Sequence, residues 1–217
     1  GQGLDAPTGL AFAANGDLLV SNRNGGVRRF AGPQAPDAGA AKGTFIDVGD
    51  GGLDGPFNMA LGPDGGLYVA SFDTDQVLRY DGQSGDFVDV FAQDQALSRP
   101  QGLLFDDEGN LLVASTGSND VLRFTPEGDL LDTFIEGDGL LNAPNDLAFG
   151  PDGHLYVSSR LDQQVLRFDG ETGDFLDVFA WGAAMQGTTG IVFIAIPEPG
   201  SAALIGLGAV LLLKRRR

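Results

Sequence analysis

Phe12, Leu61, Phe105, Phe149 and Phe193 stand 49, 44, 44 and 44 residues apart. A repeat of that length marks a unit that cannot bury its own faces and stacks on copies of itself. The same segments recur around each mark. The first is Ala6-Pro7-Thr8-Gly9-Leu10-Ala11-Phe12, followed by Gly55-Pro56-Phe57-Asn58-Met59-Ala60-Leu61. Its later copies run from Arg99-Pro100 to Phe105 and from Ala143-Pro144 to Phe149. Pro63-Asp64-Gly65 and Pro151-Asp152-Gly153 then read as tight turns, with Pro presetting φ, Asp capping locally and Gly taking positive φ.

Three more short apolar runs complete each copy, for example Leu67-Tyr68-Val69, Val77-Leu78-Arg79-Tyr80 and Phe87-Val88-Asp89-Val90-Phe91. β-Branched and aromatic runs bounded by Gly, Asp and Pro predict strands joined by hairpin turns. Four strands per unit of about 44 residues predict an all-β fold, the β-propeller, with four complete blades and one further strand. A 3.6-residue apolar period, which helical repeats need, is absent. In blade one, residues 31–42, rich in Ala, Gly and Pro, read as a surface loop inserted before the fourth strand at Phe45–Val48.

These residues resemble the NHL-repeat family of propellers, whose copies read Pro-x-Gly-Leu-Ala-Phe, Asp-Gly-x-Leu-Tyr-Val and Val-x-Arg-Phe. The resemblance covers residues 5 to about 194 and implies a scaffold, a fold that hosts unrelated activities. The organisation expected is a propeller over 1–194 and a tail over 195–217.

The fifth copy holds only a first strand, Thr188–Phe193, with no evident partner, while residues 1–7 match the end of a preceding blade. No signal peptide is visible at Gly1. Together these ends predict the C-terminal portion of a longer propeller; alone, four blades would leave exposed sheet edges.

In the tail, Pro197-Glu198-Pro199 precedes an apolar stretch over 201–213 and the basic cluster Lys214, Arg215, Arg216, Arg217. An apolar segment backed by cations orients with the charges in the cytoplasm. The order of these elements resembles the PEP-CTERM sorting tail. That resemblance implies export in a Gram-negative bacterium, an exosortase-type enzyme as processing partner, and transient anchoring in the cell envelope before release. The expected element is a short hydrophobic helix, and its thirteen residues fall short of the ~20 of a full span.

A net charge of −17 repels phosphate backbones and excludes nucleic acid as a partner. With no cysteine and a single histidine, His154, neither thiolate zinc sites nor a Ser-His-Asp or Cys-His arrangement has a frame. Arg29, Arg79, Arg123 and Arg167 hold one place in every third strand, which predicts structural pairing with Asp of a neighbouring strand or blade.

Candidate site residues lie where each first strand begins, because these loops crowd around a propeller's channel. Thr8-Gly9, Gln101-Gly102 and Thr189-Gly190 follow an x-Gly pattern that blades two and four break with Phe57-Asn58 and Asn145-Asp146. Asn58, Asn145 and Asp146 offer oxygen ligands to a hard cation such as Ca²⁺; alternatively they cap the turn after Pro. Pro144-Asn145-Asp146-Leu147 also resembles the metal-ligand segment of gluconolactonase-type propellers, although a further acidic ligand and a carboxylate base have no counterpart here. Asp73-Thr74-Asp75, Asp81–Asp86 and Asp169–Asp174 read as loose Ca²⁺ chelators or as solvated turns. Trp181 reads as a sugar-stacking platform or a packing residue. The expected function is a non-enzymatic scaffold for extracellular polysaccharide or protein, with a metal-dependent gluconolactonase-like hydrolase as the alternative.

Overall fold

The computed structural model describes residues 3–182 and 190–193. Blade one contains β1 (Pro7–Phe12), β2 (Leu18–Asn22), β3 (Gly26–Phe30) and β4 (Ala41–Ile46). Blade two contains β5 (Pro56–Leu61), β6 (Gly66–Ser71), β7 (Gln76–Asp81) and β8 (Phe87–Ala92). Blade three contains β9 (Pro100–Phe105), β10 (Leu111–Ser115), β11 (Asp120–Phe124) and β12 (Leu130–Ile135). Blade four contains β13 (Pro144–Phe149), β14 (Leu155–Ser159), β15 (Gln164–Phe168) and β16 (Phe175–Trp181). Each sheet is an antiparallel meander in chain order, so the described residues form an all-β propeller array of four blades.

The first hairpin of every blade turns on a glycine at positive φ: Gly16, Gly65, Gly109 and Gly153, at 83°, 80°, 83° and 80°. A second left-handed residue stands immediately before each inner-strand proline: Ala6, Gly55, Arg99 and Ala143, with φ of 56°, 60°, 52° and 55°. Such φ values cost a side-chain-bearing residue roughly 1–2 kcal/mol, and packing around each inner strand holds them in place.

That packing is between blades. Three apolar clusters fill the spaces between blades one and two, two and three, and three and four. Fully buried Leu19, Leu67 and Tyr80 anchor the first, Leu111 and Phe124 the second, and Leu155 and Phe168 the third. Each such side chain contributes roughly 1.5–3 kcal/mol by leaving water.

Within a blade, polar clamps set the edges. The backbone N–H groups of Asp54, Ser98 and Asn142 donate to Ser71, Ser115 and Ser159 Oγ at 3.0, 2.9 and 2.8 Å. Asp5 donates to Asn22 Oδ1 at 2.6 Å in the same place, and all four pairs lie 17 residues apart. Arg79, Arg123 and Arg167 each fork onto the Asp opposite them in the fourth strand: Asp89, Asp132 and Asp177.

Blade one departs from this pattern. Gly43 faces Arg29 where an Asp stands in the other blades, and Arg29 turns to buried Asp17, with Nε–Oδ2 at 2.6 Å. Lys42 Nζ supplies a second cation, 2.8 Å from Asp17 Oδ1. The expected loop holds over residues 31–40 and is corrected at Ala41 and Lys42, which that pair draws into the strand, and the expected strand at Phe45–Val48 keeps only Phe45 and Ile46. β4 begins at Ala41 and ends at Ile46, because Lys42 is held down on the sheet.

The fifth copy also needs correction. Gly190–Phe193 forms no strand, yet it is partnered: the Ile191 N–H donates to Asp146 Oδ2 at 2.7 Å, and Phe193 packs edge-on against Tyr156 with ring centroids 4.7 Å apart. The ring contact copies that of Phe105 against Tyr68, at 4.9 Å across the junction of blades two and three. At the opposite end of the array, Leu10 and Phe12 are 66% and 58% exposed. No helix among the described residues is long and apolar enough to cross a membrane. Thr188, Thr189 and the tail, including Pro197, Glu198, Pro199 and 201–217, lie outside the described residues.

Candidate functional site at the propeller channel

Every inner strand carries a bulge at the place where the sequence varies. Phe57 and Asn58 together oppose Ala70, and Asn145 and Asp146 together oppose Ser158. Gln101-Gly102 opposes Ala114 in the same manner, and the first strand shifts register at Thr8. A bulge places two residues against one and re-aims their side chains, here toward the channel.

The alternation of Gly with Asn or Asp has a steric cause. A Cβ on Gly9 would stand 2.7 Å from the Phe57 carbonyl, and one on Gly102 would stand 3.0 Å from the Asp146 Cα. Blades one and three therefore present bare backbone. Blades two and four project Asn58 and Asp146, which meet: Asn58 Nδ2 donates to Asp146 Oδ1 at 3.2 Å. The Asn58 amide orientation is fixed by its other end, where Oδ1 accepts from the Met59 N–H at 2.8 Å.

Asn145, the third predicted residue, is beside this pair without joining it. Its Oδ1 accepts from Ser158 Oγ at 2.7 Å, and Ser158 Oγ in turn accepts the Asp146 N–H at 3.0 Å. Ser21 holds the equivalent place in blade one, hydrogen-bonded to the Phe57 carbonyl and 3.1 Å from Thr8 Oγ1. The sequence reading missed both serines. Their signal is a Ser in the outer two blades, since Ala70 and Ala114 occupy that place in the middle ones.

Asp146 is 9% exposed, and burial pushes its carboxyl above the ordinary value of 3.8. The N–H groups of Ile191 and Leu147 and the Asn58 amide oppose that rise. No cation pairs with it among the described residues; its donors are all neutral.

Two hollows adjoin these groups. A pocket of about 110 Å³ is bordered by Thr8, Phe57, Asn58, Gln101 and Asn145. Arg23 flanks its Phe57 wall, stacked 5.1 Å from that ring and 4.6 Å from Phe72, and paired with Asp73 at 3.2 Å. A cleft of about 1020 Å³ has Asp146 and Asn58 among its lining residues and apolar walls that include Leu10, Met59, Leu103 and Leu147.

The arrangement fits a hard cation poorly. Ca²⁺ takes six to eight oxygens. Here the site has one carboxylate, and the amide oxygens of Asn58 and Asn145 are already bonded to Met59 N–H and Ser158 Oγ. No group of three or more His, Cys, Asp or Glu side chains converges among the described residues.

The acidic turns are capped rather than open. Asp75 Oδ1 accepts from the Arg99 N–H, Asp81 Oδ1 from Gln83 and Ser84, and Asp169 Oδ1 from Glu171 and Thr172. His154 follows a tight turn, its N–H 3.3 Å from Asp152 Oδ1. Trp181 ends β16, is 72% exposed, and lines neither hollow.

No protein-family model matches the chain, and no curated protein matches it. Solved structures do. Virginiamycin B lyase from Staphylococcus aureus superposes with a TM-score of 0.61 at 15% identity, over 84% of this chain and 58% of the lyase. A gluconolactonase from Xanthomonas campestris gives 0.62 at 22% identity, over 81% of this chain and 62% of the enzyme. The extracellular domain assigned to a one-component system of B. thetaiotaomicron gives 0.63 at 14% identity, over 90% and 28% of the two chains. The chain thus spans less than two thirds of each of these structures. At these identities the likeness is one of fold.

Proposed function

We propose that this chain is a non-enzymatic β-propeller binding scaffold, exported to the cell envelope or released from it, that receives extracellular polysaccharide or protein at the channel mouth. The observation that carries this reading is the state of the channel groups. Asp146 and Asn58 are hydrogen-bonded to each other, and Asn145 is tied to Ser158. A base or a metal ligand needs its lone pairs turned toward a substrate, whereas a recognition surface needs fixed, satisfied polar groups beside apolar walls. The rim formed by Phe57, Phe72 and Arg23 suits that role, offering ring faces and a guanidinium held in place by Asp73.

Sorting belongs to the same proposal. Pro197-Glu198-Pro199, the apolar stretch and Lys214–Arg217 would direct the protein to an exosortase-type enzyme, with the segment over 201–213 as a transient anchor. Full-length protein found in the soluble cytoplasmic fraction with its tail intact would overturn that part.

The functional test is a glycan and protein array probed with the full chain, run beside a lactone hydrolysis assay with and without Ca²⁺. Retention on the array without turnover supports the scaffold. Metal-stimulated hydrolysis that disappears in Asn145→Ala and Asp146→Ala would replace it with the gluconolactonase-like alternative.

A further inference from the structure

One repeat position supplies a side chain from every blade to the smaller hollow: Thr8, Phe57, Gln101 and Asn145, with Pro7 and Asn58 beside them. Three of the four are engaged. Thr8 Oγ1 donates to the Pro56 carbonyl at 2.8 Å, Phe57 lies 4.8 Å from the Phe72 ring, and Asn145 Oδ1 accepts from Ser158 Oγ. Gln101 is different. It is only 6% exposed, yet neither end of its amide meets a partner among the described residues. The Asn145 Nδ2 likewise has no acceptor among them, in a residue 5% exposed. Among those residues only Arg28 Nε is both sealed from solvent and unpaired, so the Gln101 amide keeps its access through the hollow. Buried polar groups are ordinarily hydrogen-bonded, and here the partner must come from outside the protein.

The hollow measures about 110 Å³. Sites that take a whole small molecule run to roughly 300–1,000 Å³, so this one admits a substituent and not a sugar ring. At ~30 Å³ for each water it holds roughly three or four, or a group of that size. Its lining consists of amides, one hydroxyl and the apolar surfaces of Pro7 and Phe57. No charged side chain lines it among the described residues, so a carboxylate would find no cation there and an ammonium no anion. The group that fits is neutral, with an N–H, a carbonyl and a methyl.

We infer that this hollow holds the acetamido group of an N-acetylated amino sugar. Gln101 Oε1 accepts the acetamido N–H, Asn145 Nδ2 donates to its carbonyl, and the methyl faces Phe57 and Pro7. The sugar ring then lies on the rim formed by Phe57, Phe72 and Arg23. The inference rests on the polysaccharide reading above and narrows it to one class of sugar, through a residue that reading leaves aside. A ligand amide would complete two buried hydrogen-bonding groups where the surroundings are less polar than water.

The test is calorimetric titration of the full chain with triacetylchitotriose and with cellotriose, trisaccharides of one linkage that differ only in acetamido against hydroxyl. The acetylated sugar is expected to bind about tenfold more tightly or better, the worth of one well-made hydrogen bond. Saturation-transfer NMR on the same complex should show the acetyl methyl protons as the most strongly saturated. Gln101→Leu replaces the amide with an apolar side chain of similar shape and should bring the two sugars level.

Equal affinities in wild type, ring protons saturated more strongly than the methyls, or a preference that survives in Gln101→Leu would each overturn the site; the hollow would then hold water alone. The first two measurements need only the wild-type chain and decide the matter even if the variant fails to fold. An array that retains only proteins, or only unacetylated glycans, overturns the acetamido site and leaves the scaffold standing. An array that retains nothing removes both.

Discussion

Asn58 Nδ2 and Asp146 Oδ1 meet 3.2 Å apart across the channel from positions 88 residues apart in the chain, two repeats of the ruler. The contact joins the second blade to the fourth without passing through the third. Asn58→Ala removes a hydrogen bond to a buried carboxylate and should lower unfolding stability by about 1–3 kcal/mol. Asn58→Asp should cost more, because two carboxyls would then share the site. Urea unfolding midpoints measure both.

The acid response separates two kinds of aspartate. Asp146 has its folded pKa raised by burial, so the native state takes up this proton before the unfolded chain does. As pH falls from about 7 toward 3.8, wild type should therefore gain stability relative to Asp146→Asn. Asp17, Asp81 and Asp169 behave in the opposite sense. The first is held low by Lys42 and then Arg29, against its burial; the second by the N–H groups of Ser84 and Gln83; the third by those of Thr172 and Glu171. Their contribution is present above 3.8 and lost as pH falls below it. Thermal melts of wild type and Asp146→Asn from about pH 7 down to 3.8 test the first sign, and wild-type melts continued below 3.8 test the second.

One repeat position should give two very different mutational costs. Phe105 packs against Tyr68 at a blade junction, whereas Phe12 is 58% exposed. Phe105→Ala should lose about 3 kcal/mol or more, and Phe12→Ala at most ~0.5 kcal/mol, as for an exposed site. Equal losses would mean that Phe12 is covered in solution.

Asp17→Asn should lower the melting temperature more than Asp132→Asn. The Asp17 side chain is 5% exposed and serves two cations, while that of Asp132 is 41% exposed and serves one. Breaking a buried network leaves charges uncompensated, and exposed pairs contribute little. Differential scanning calorimetry of the two variants decides it.

The fold was legible because its determinants are local. Pro63-Asp64-Gly65 sets a turn, Val77–Tyr80 alternates across a sheet, and the order repeats. The site was half legible. Asn58 and Asp146 stood out as departures from Gly, with Asn145 beside the second, but their bonding depends on which backbones approach too closely to carry a Cβ, and that is a property of the assembled channel. Ser158 was hidden for the same reason. The fastening of Lys42 onto Asp17 was also hidden, because the missing Asp opposite Arg29 becomes visible only once Gly43 is seen to face it. Partnering of Ile191 and Phe193 by blade four could not be read from a repeat that stops after its first segment.

The clamp between residues 17 positions apart lies wholly inside one repeat. A copying error that duplicated about 44 codons would therefore deliver a blade already carrying its own fastening. It would also bring one surface of each kind needed at a junction. An array of this design can gain or lose units over generations while the Asn58–Asp146 crossing keeps its neighbours, provided that the change falls outside the two repeats it spans.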